Sequence, residues 1–336
     1  MRVYYDDVFK GHETGPGHPE NPRRLDYALE GIRDAGAPLV APRARDDVLQ
    51  HLEAAHGRDY IRYIEDLCSL GNLTELDGDT WVSPGTCNAA FTAVSAILDA
   101  LDSREHAYIL ARPPGHHAGR SGRALTAPTQ GFCIFNTAAV GALYGEGAAV
   151  VDIDVHHGNG TQEILYDRDV LYISTHQDPL TLYPGTGFPD EVGRGRGEGF
   201  NVNVPMPPGL GDDGFKKIFD EVVMPILRQY GPRVLIVSLG WDAHKEDPLA
   251  DMGFTLNGYR YAIRSLLSLN VPAVFLLEGG YNYAVLKEGS KMLAMELAGL
   301  GRAPPEEPSA SDHSAWGRLT KILAEVRSIQ SRYWRL

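Results

Sequence analysis

The run VDIDVHHGNG sets Asp152, Asp154 and His156 on alternate residues, and alternate residues of an extended chain share one side. Asp154 and His156 can therefore converge on one cation, although by themselves they would equally suit a helix cap and a solvated histidine. A third donor changes the balance: Asp242, in SLGWDAH, stands just beyond a second apolar run, Val234 to Leu239. One histidine with two carboxylates leaves a coordination position open for water, the feature that separates catalytic zinc from closed structural zinc. Fe(II), Co(II) or Mn(II) would accept the same donors.

Two further groups fit a hydrolytic reading. The run Ala107 to Ala111 leads into RPPGHHAG, so His116 and His117 form a tandem pair held by prolines and Gly115. An imidazole there can take a proton from water and pass it to a departing amine. The run Ala273 to Leu277 ends in LLEGGYN, where two glycines let Tyr281 come close to a reacting centre and polarise a carbonyl. Taken singly, a His pair is ordinary surface decoration, and GGY is an ordinary turn with a packed aromatic.

Short apolar runs must position these groups. Arg2 to Tyr5, Ala107 to Ala111, Ala148 to Val155, Val170 to Thr175, Val234 to Leu239 and Ala273 to Leu277 alternate with helical patterns. That alternation predicts a parallel sheet with helices on both faces, and nearly unbroken apolarity is what two-sided burial requires. Ligands in such sheets gather outside the carboxyl ends of the strands. Ser83 and Pro84 read as N-cap and first-turn proline of a helix carrying Ala90, Val94, Ile97, Leu98 and Leu101. A second helix is expected over Phe215 to Gln229. Gly301 to Ser311 reads as a linker, chiefly 302–311, ahead of a packing helix over 312–332 whose periodicity is clear from Trp316 to Arg332. The GRGRGEG stretch within Val192 to Gly199 lacks a Walker lysine and runs into a strand-like FNVNV, so it reads as a surface loop.

The 336 residues suit one α/β domain, and 43% hydrophobic content with 22% charged residues excludes a disordered chain. A formal net charge of -13 argues against a nucleic-acid-coating surface. It suits a cationic partner, or simply a soluble enzyme. Cys68, Cys87 and Cys133 are few and scattered, so neither a disulfide framework nor a thiolate zinc site is expected, and a reducing compartment is. With no apolar run approaching a membrane span, a cytoplasmic location away from membranes is the expectation.

RPPGHHA, GFCIFN at Gly131 to Asn136, DIDVHHGNGTQ, YPGTG at Tyr183 to Gly187, GWDAHKEDPL and LEGGYN together resemble the zinc-dependent histone deacetylase family. The resemblance runs from HPENPRRL at His18 to Leu25 through Tyr281, and is nearest to the class II and bacterial amidohydrolase branch that includes acetylpolyamine amidohydrolases. It implies the arginase/deacetylase fold, a three-layer α/β/α arrangement around an eight-stranded, mostly parallel sheet. It also implies Asp154, His156 and Asp242 as zinc ligands, His117 as general base and acid, His116 as its electrostatic neighbour, and Tyr281 as the carbonyl-polarising group. Asp152 would pair with His116. Asn159 stands where class I members carry an aspartate beside the second histidine. Asp152, Asp154, His156, Ser174 and Thr175 match a structural potassium site, and Arg24 an internal channel. Phe132 and Tyr183 match the aromatic walls of an acyl-lysine tunnel, with Gly131 and Gly279 between them.

Three departures bear on substrate and rim. Leu249 stands where polyamine-selective relatives carry a gatekeeping glutamate, and a leucine cannot attract an internal ammonium. Gly119 to Gln130 is longer than in typical class II enzymes, and Trp241 replaces a phenylalanine. The expected activity is hydrolysis of an acyl-lysine or a small acylated amine, with acetylpolyamines as the alternative substrate. An arginase-type ureohydrolase would need carboxylates for a second metal where His157 and Asn159 follow. A non-catalytic acyl-lysine binder would be expected to have lost Tyr281 or a ligand.

Overall fold

The computed structural model describes residues 1–336. Twelve strands occur in chain order: β1 Arg2–Tyr4, β2 Leu39–Val40, β3 Thr74–Glu75, β4 Trp81–Val82, β5 Ala107–Ile109, β6 Ala118–Gly119, β7 Gly122–Arg123, β8 Ala148–Asp152, β9 Leu171–Gln177, β10 Asn201–Met206, β11 Val234–Leu239 and β12 Ala273–Leu277. Eight of them form one sheet in the order β10-β9-β8-β11-β12-β5-β1-β2, parallel throughout. β8, β9, β11 and β12 are buried at every residue, as their apolar runs require.

The helices are α1 Arg23–Asp34, α2 Val48–Ala55, α3 Arg58–Ser69, α4 Thr86–Ser103, α5 Thr137–Tyr144, α6 Asn159–Leu165, α7 Asp212–Ile218, α8 Met224–Tyr230, α9 Leu256–Leu267, α10 Tyr283–Leu297 and α11 His313–Gln330. α1 packs on α10, α10 on α9 and α9 on α7, while α2, α4 and α5 pack together against the sheet. The α1–α10 crossing is close because Gly31 has no side chain: a Cβ there would lie 2.0 Å from the Lys287 carbonyl oxygen. No helix is long and apolar enough to cross a membrane.

Several sequence expectations need correction. Cys68 on α3 and Cys87 on α4 form a disulfide, although their spacing gave no sign of it, because only the packing of the two helices brings them together. α4 begins at Thr86 with Gly85 as its cap, so Ser83 is not the N-cap; its hydroxyl instead donates to the Gly11 carbonyl across the chain. The expected helix over Phe215 to Gln229 is α7 and α8 joined by a π-helical turn, Phe219–Val223. The stretch 302–311 has no helix or strand, leads into α11 and is docked on the domain. Ser309 and Ser311 exchange hydrogen bonds with Asp212 and Asp213 at the start of α7, and Glu306 accepts from the Leu256 N–H and pairs with His244. Two strands, β2 and β10, complete the sheet; β10 begins at Asn201, within the FNVNV run.

Candidate metal centre and tunnel

The candidate residues leave the carboxyl ends of four neighbouring strands, β8, β11, β12 and β5. Asp152 ends β8, and Asp154 and His156 follow it; Asp242 lies three residues beyond β11. Carboxylate and imidazole atoms of Asp154, His156 and Asp242 all lie within 4.8 Å of one another. Asp154 Oδ2 accepts from the Gly279 N–H at 2.8 Å, and Asp242 Oδ1 from the Val155 N–H at 3.1 Å. Asp242 Oδ2 is buried with no hydrogen-bond partner, 3.3 Å from His156 Nδ1. A buried carboxylate oxygen left unpaired is costly unless a cation completes it, so the donor set fits a divalent ion. Glycine is required on both sides. A Cβ at Gly279 would lie 2.0 Å from Asp242 Oδ2, and one at Gly240 would lie 2.1 Å from Asp154 Oδ2.

The tandem histidines sit beside this trio with their rings 4.0 Å apart. His116 Nδ1 is 3.1 Å from Asp152 Oδ2, and His117 Nδ1 is 2.7 Å from Asn159 Oδ1. The two environments differ. Burial alone would lower His116, but Asp154, Asp152 and Glu278 outweigh it and raise its pKa to about 10. Burial, together with the charges of His116 and His156, drives His117 well below its usual range. Opposed shifts in neighbouring titratable groups mark an acid–base assignment.

Tyr281 faces the same space, its phenol pushed well above the usual range by burial while Arg24 pulls the other way. The Arg24 guanidinium lies 5.0 Å from the Tyr281 ring centre and donates to the carbonyls of Gly280 and Glu278 and to Glu20. A cavity of about 250 Å³ leads to the site, lined among others by Phe132, Tyr183, Gly131, Leu249, Gly279, Tyr281 and both tandem histidines. Phe132 holds a positive φ of 68°, a conformation costly for an aromatic residue, with its N–H donated to Thr80 Oγ1. Tyr183 stands edge-on to His117 and donates its hydroxyl to the Thr129 carbonyl.

The residues matched to potassium are also adjacent. Asp152 and Ser174 are register partners of β8 and β9, and the Thr175 hydroxyl donates to the Asp152 carbonyl at 3.3 Å. Ser174 Oγ, however, is already engaged with His176 Nδ1 at 2.8 Å. Trp241 fills the space beneath the site. It lies against Gly280 and Gly289, where any Cβ would strike it, and its indole N–H points to the Tyr108 hydroxyl at 3.4 Å.

Three carboxylates at the site were not singled out from the sequence. Glu278 accepts from the N–H groups of Gly115 and His116 and from the Ser238 hydroxyl, and so holds the start of the tandem-histidine loop. With both oxygens occupied, its nearness to His116 and Cys133 serves positioning better than metal binding. Its place at the end of an apolar strand was the available signal. Asp247 accepts from the N–H groups of Tyr281, Asn282 and Leu249, tying the tyrosine turn to the tunnel wall. Asp79 lines the cavity and accepts from Thr129, but nothing in its local DGDT turn announces that.

A parallel α/β sheet with a candidate three-donor metal group at the foot of a narrow cavity suits metal-dependent hydrolysis, and comparison with known proteins supplies the family. The histone deacetylase domain family matches residues 18–297. An Archaeoglobus fulgidus protein described as a probable deacetylase is 34% identical, covering 99% of this chain and 98% of its own. Arabidopsis thaliana histone deacetylase 15 is 35% identical over 94% of this chain and 59% of its own. A crystal structure of the HDA15 HD domain superimposes with a TM-score of 0.88 at 32% identity, covering 99% and 97% of the two chains. The chain belongs to the histone deacetylase family, and that membership supports a hydrolytic deacetylase activity.

Proposed function

We propose that this protein is a metal-dependent deacylase acting on acyl-lysine or a small acylated amine, with Asp154, His156 and Asp242 holding zinc. A divalent ion held by these three would act as a Lewis acid on the acyl carbonyl and lower the pKa of water. His117, kept neutral by burial and by the charge on His116, takes the proton of the attacking water and returns it to the leaving amine. His116, charged and paired with Asp152, contributes a fixed positive charge. Tyr281 donates its phenolic proton in a hydrogen bond to the oxygen that gains charge. Phe132 and Tyr183 flank the alkyl chain and exclude water around it. The residues matched to potassium form the second, structural cation site of this reading.

The observation that carries the proposal is Asp242 Oδ2, buried without a hydrogen-bond partner and facing His156 Nδ1 at the foot of the tunnel. Hydrolysis of an acetyl-lysine peptide, with metal content measured in the same samples, tests it. Tyr281→Phe and His117→Ala should each lower kcat about a hundredfold or more while retaining about one metal per chain. Undiminished turnover in either variant would remove that residue's assigned role. Acetylputrescine is the competing substrate, favoured by the acidic net charge and opposed by Leu249. Their relative kcat/KM values decide between the two.

A further inference from the structure

The segment Gly119 to Gln130 begins as the β6–β7 hairpin. It lies against α6, which carries Asn159 at its first residue and Glu163 one turn later. The Glu163 carboxylate accepts from both the Arg120 N–H at 2.9 Å and the Leu125 N–H at 3.0 Å, straddling the hairpin. On the other side, His56 Nδ1 donates to the Gly119 carbonyl and the Gly57 N–H to the Arg120 carbonyl, each at 2.8 Å. Leu125 is held at a positive φ of 52°, and Ala124 between these anchors is fully buried. Gly119 has no room for a side chain: its Cβ would lie 2.5 Å from Glu163 Oε1 and 2.7 Å from Ala124 Cβ.

The clamp fixes one atom that matters for chemistry. The Ala124 carbonyl accepts from Asn159 Nδ2 at 3.1 Å. A carbonyl can only accept, so the asparagine amide has one orientation, with Oδ1 turned to His117 Nδ1 at 2.7 Å. Oδ1 also only accepts. The ring proton of His117 is therefore on Nδ1, and Nε2 keeps the lone pair that a base requires. Were the amide reversed, its NH₂ group would face Nδ1 and drive the proton to Nε2, disabling the base. We infer that Glu163 and the 119–125 hairpin are positioning elements that select the base-competent tautomer of His117 by orienting Asn159. The inference rests on the role proposed for His117.

Two measurements on the metal-loaded protein test it. In ¹⁵N-histidine-labelled protein, the wild-type His117 ring should read as protonated at Nδ1 and bare at Nε2, and Glu163→Ala should produce a mixture of tautomers. An unchanged His117 signal in that variant overturns the inference, whether or not the protein proves to be a deacylase. In turnover, Glu163→Ala should lower kcat about tenfold with KM within about twofold, since the substrate tunnel is untouched. Because Glu163 acts through Asn159, the double variant with Asn159→Ala should lose no more kcat than Asn159→Ala alone. Independent, additive losses overturn it. Should Glu163→Ala not fold, Glu163→Gln preserves size and one acceptor and is read by the same two criteria. Absence of turnover in the wild type would count against the deacylase reading alone, because the tautomer measurement still decides the inference.

Discussion

At the scale of single residues, the position predicted to bear on substrate choice is Leu249, which is partly exposed in the cavity wall and anchored through its N–H to Asp247. Leu249→Glu places a carboxylate where a second ammonium of a polyamine would pass. The ratio of kcat/KM for acetylputrescine over an acetyl-lysine peptide should rise about tenfold, roughly 1.4 kcal/mol of differential binding. An unchanged ratio would show that position 249 does not face the distal part of the substrate. Which site residues were legible follows a physical pattern. Asp154, His156, Asp242, His116, His117 and Tyr281 stand in the loops that follow apolar strands, where polar side chains interrupt the pattern. Asp247 and Asp79 sit in loops whose polarity is unremarkable, and their roles arise from backbone N–H groups that no sequence pattern displays.

At the scale of elements, buried strands were the most legible because two-sided burial writes itself as an apolar run; β11 and β12 coincide with the runs read from sequence. Helix-to-helix relations were not legible, since they depend on which faces meet after folding. The Cys68–Cys87 disulfide is of this kind, joining α3 to α4 across 19 residues of sequence. The enclosed segment carries Asp77, Asp79 and Thr80, which reach the tunnel rim at Gln130, Thr129 and Phe132. A cross-link of that length removes enough freedom from the unfolded chain to contribute about 3 kcal/mol. The oxidised wild type should therefore lose about that much stability in urea when a thiol reductant is added. Cys68→Ser should already sit at the lower value and show no response. Equal midpoints with and without reductant would mean the bond is not formed in solution.

For the molecule as a whole, buried ionisable groups far apart in the fold combine into one pH profile in the metal-free protein. His56 donates through Nδ1 to Gly119 and accepts through Nε2 from the Asn136 N–H, so it must be neutral, and burial lowers its pKa to about 4. His12, buried near Arg112, is lowered to about 3. Below a pH of about 6.5 the unfolded chain takes up protons at these positions and the folded chain does not, so stability falls as pH drops toward 4. Each histidine contributes a slope of about 1.4 kcal/mol per pH unit. Glu20 extends the acid limb: burial opposes its charge, but Arg112 and Arg24 hold its pKa at about 2, and its contribution is lost as pH falls from about 4.5 toward 2. The alkaline limb has the opposite sign. His116, near 10, and His156, near 9 through Asp154 and Asp242 despite burial, contribute stability that is complete below about 6.5 and lost as pH rises through those values. Asp247 and Glu278, each raised to about 7 chiefly by burial, work against the histidines below that pH, because the unfolded chain ionises there while the folded groups stay protonated. Urea midpoints should therefore decrease between pH 7 and 9, and the acid side is read from its change on substitution. His56→Phe should flatten the acid side while leaving the alkaline side as it was. An acid side left unchanged by His56→Phe would require His56 to be charged in the fold, which its paired donor and acceptor forbid.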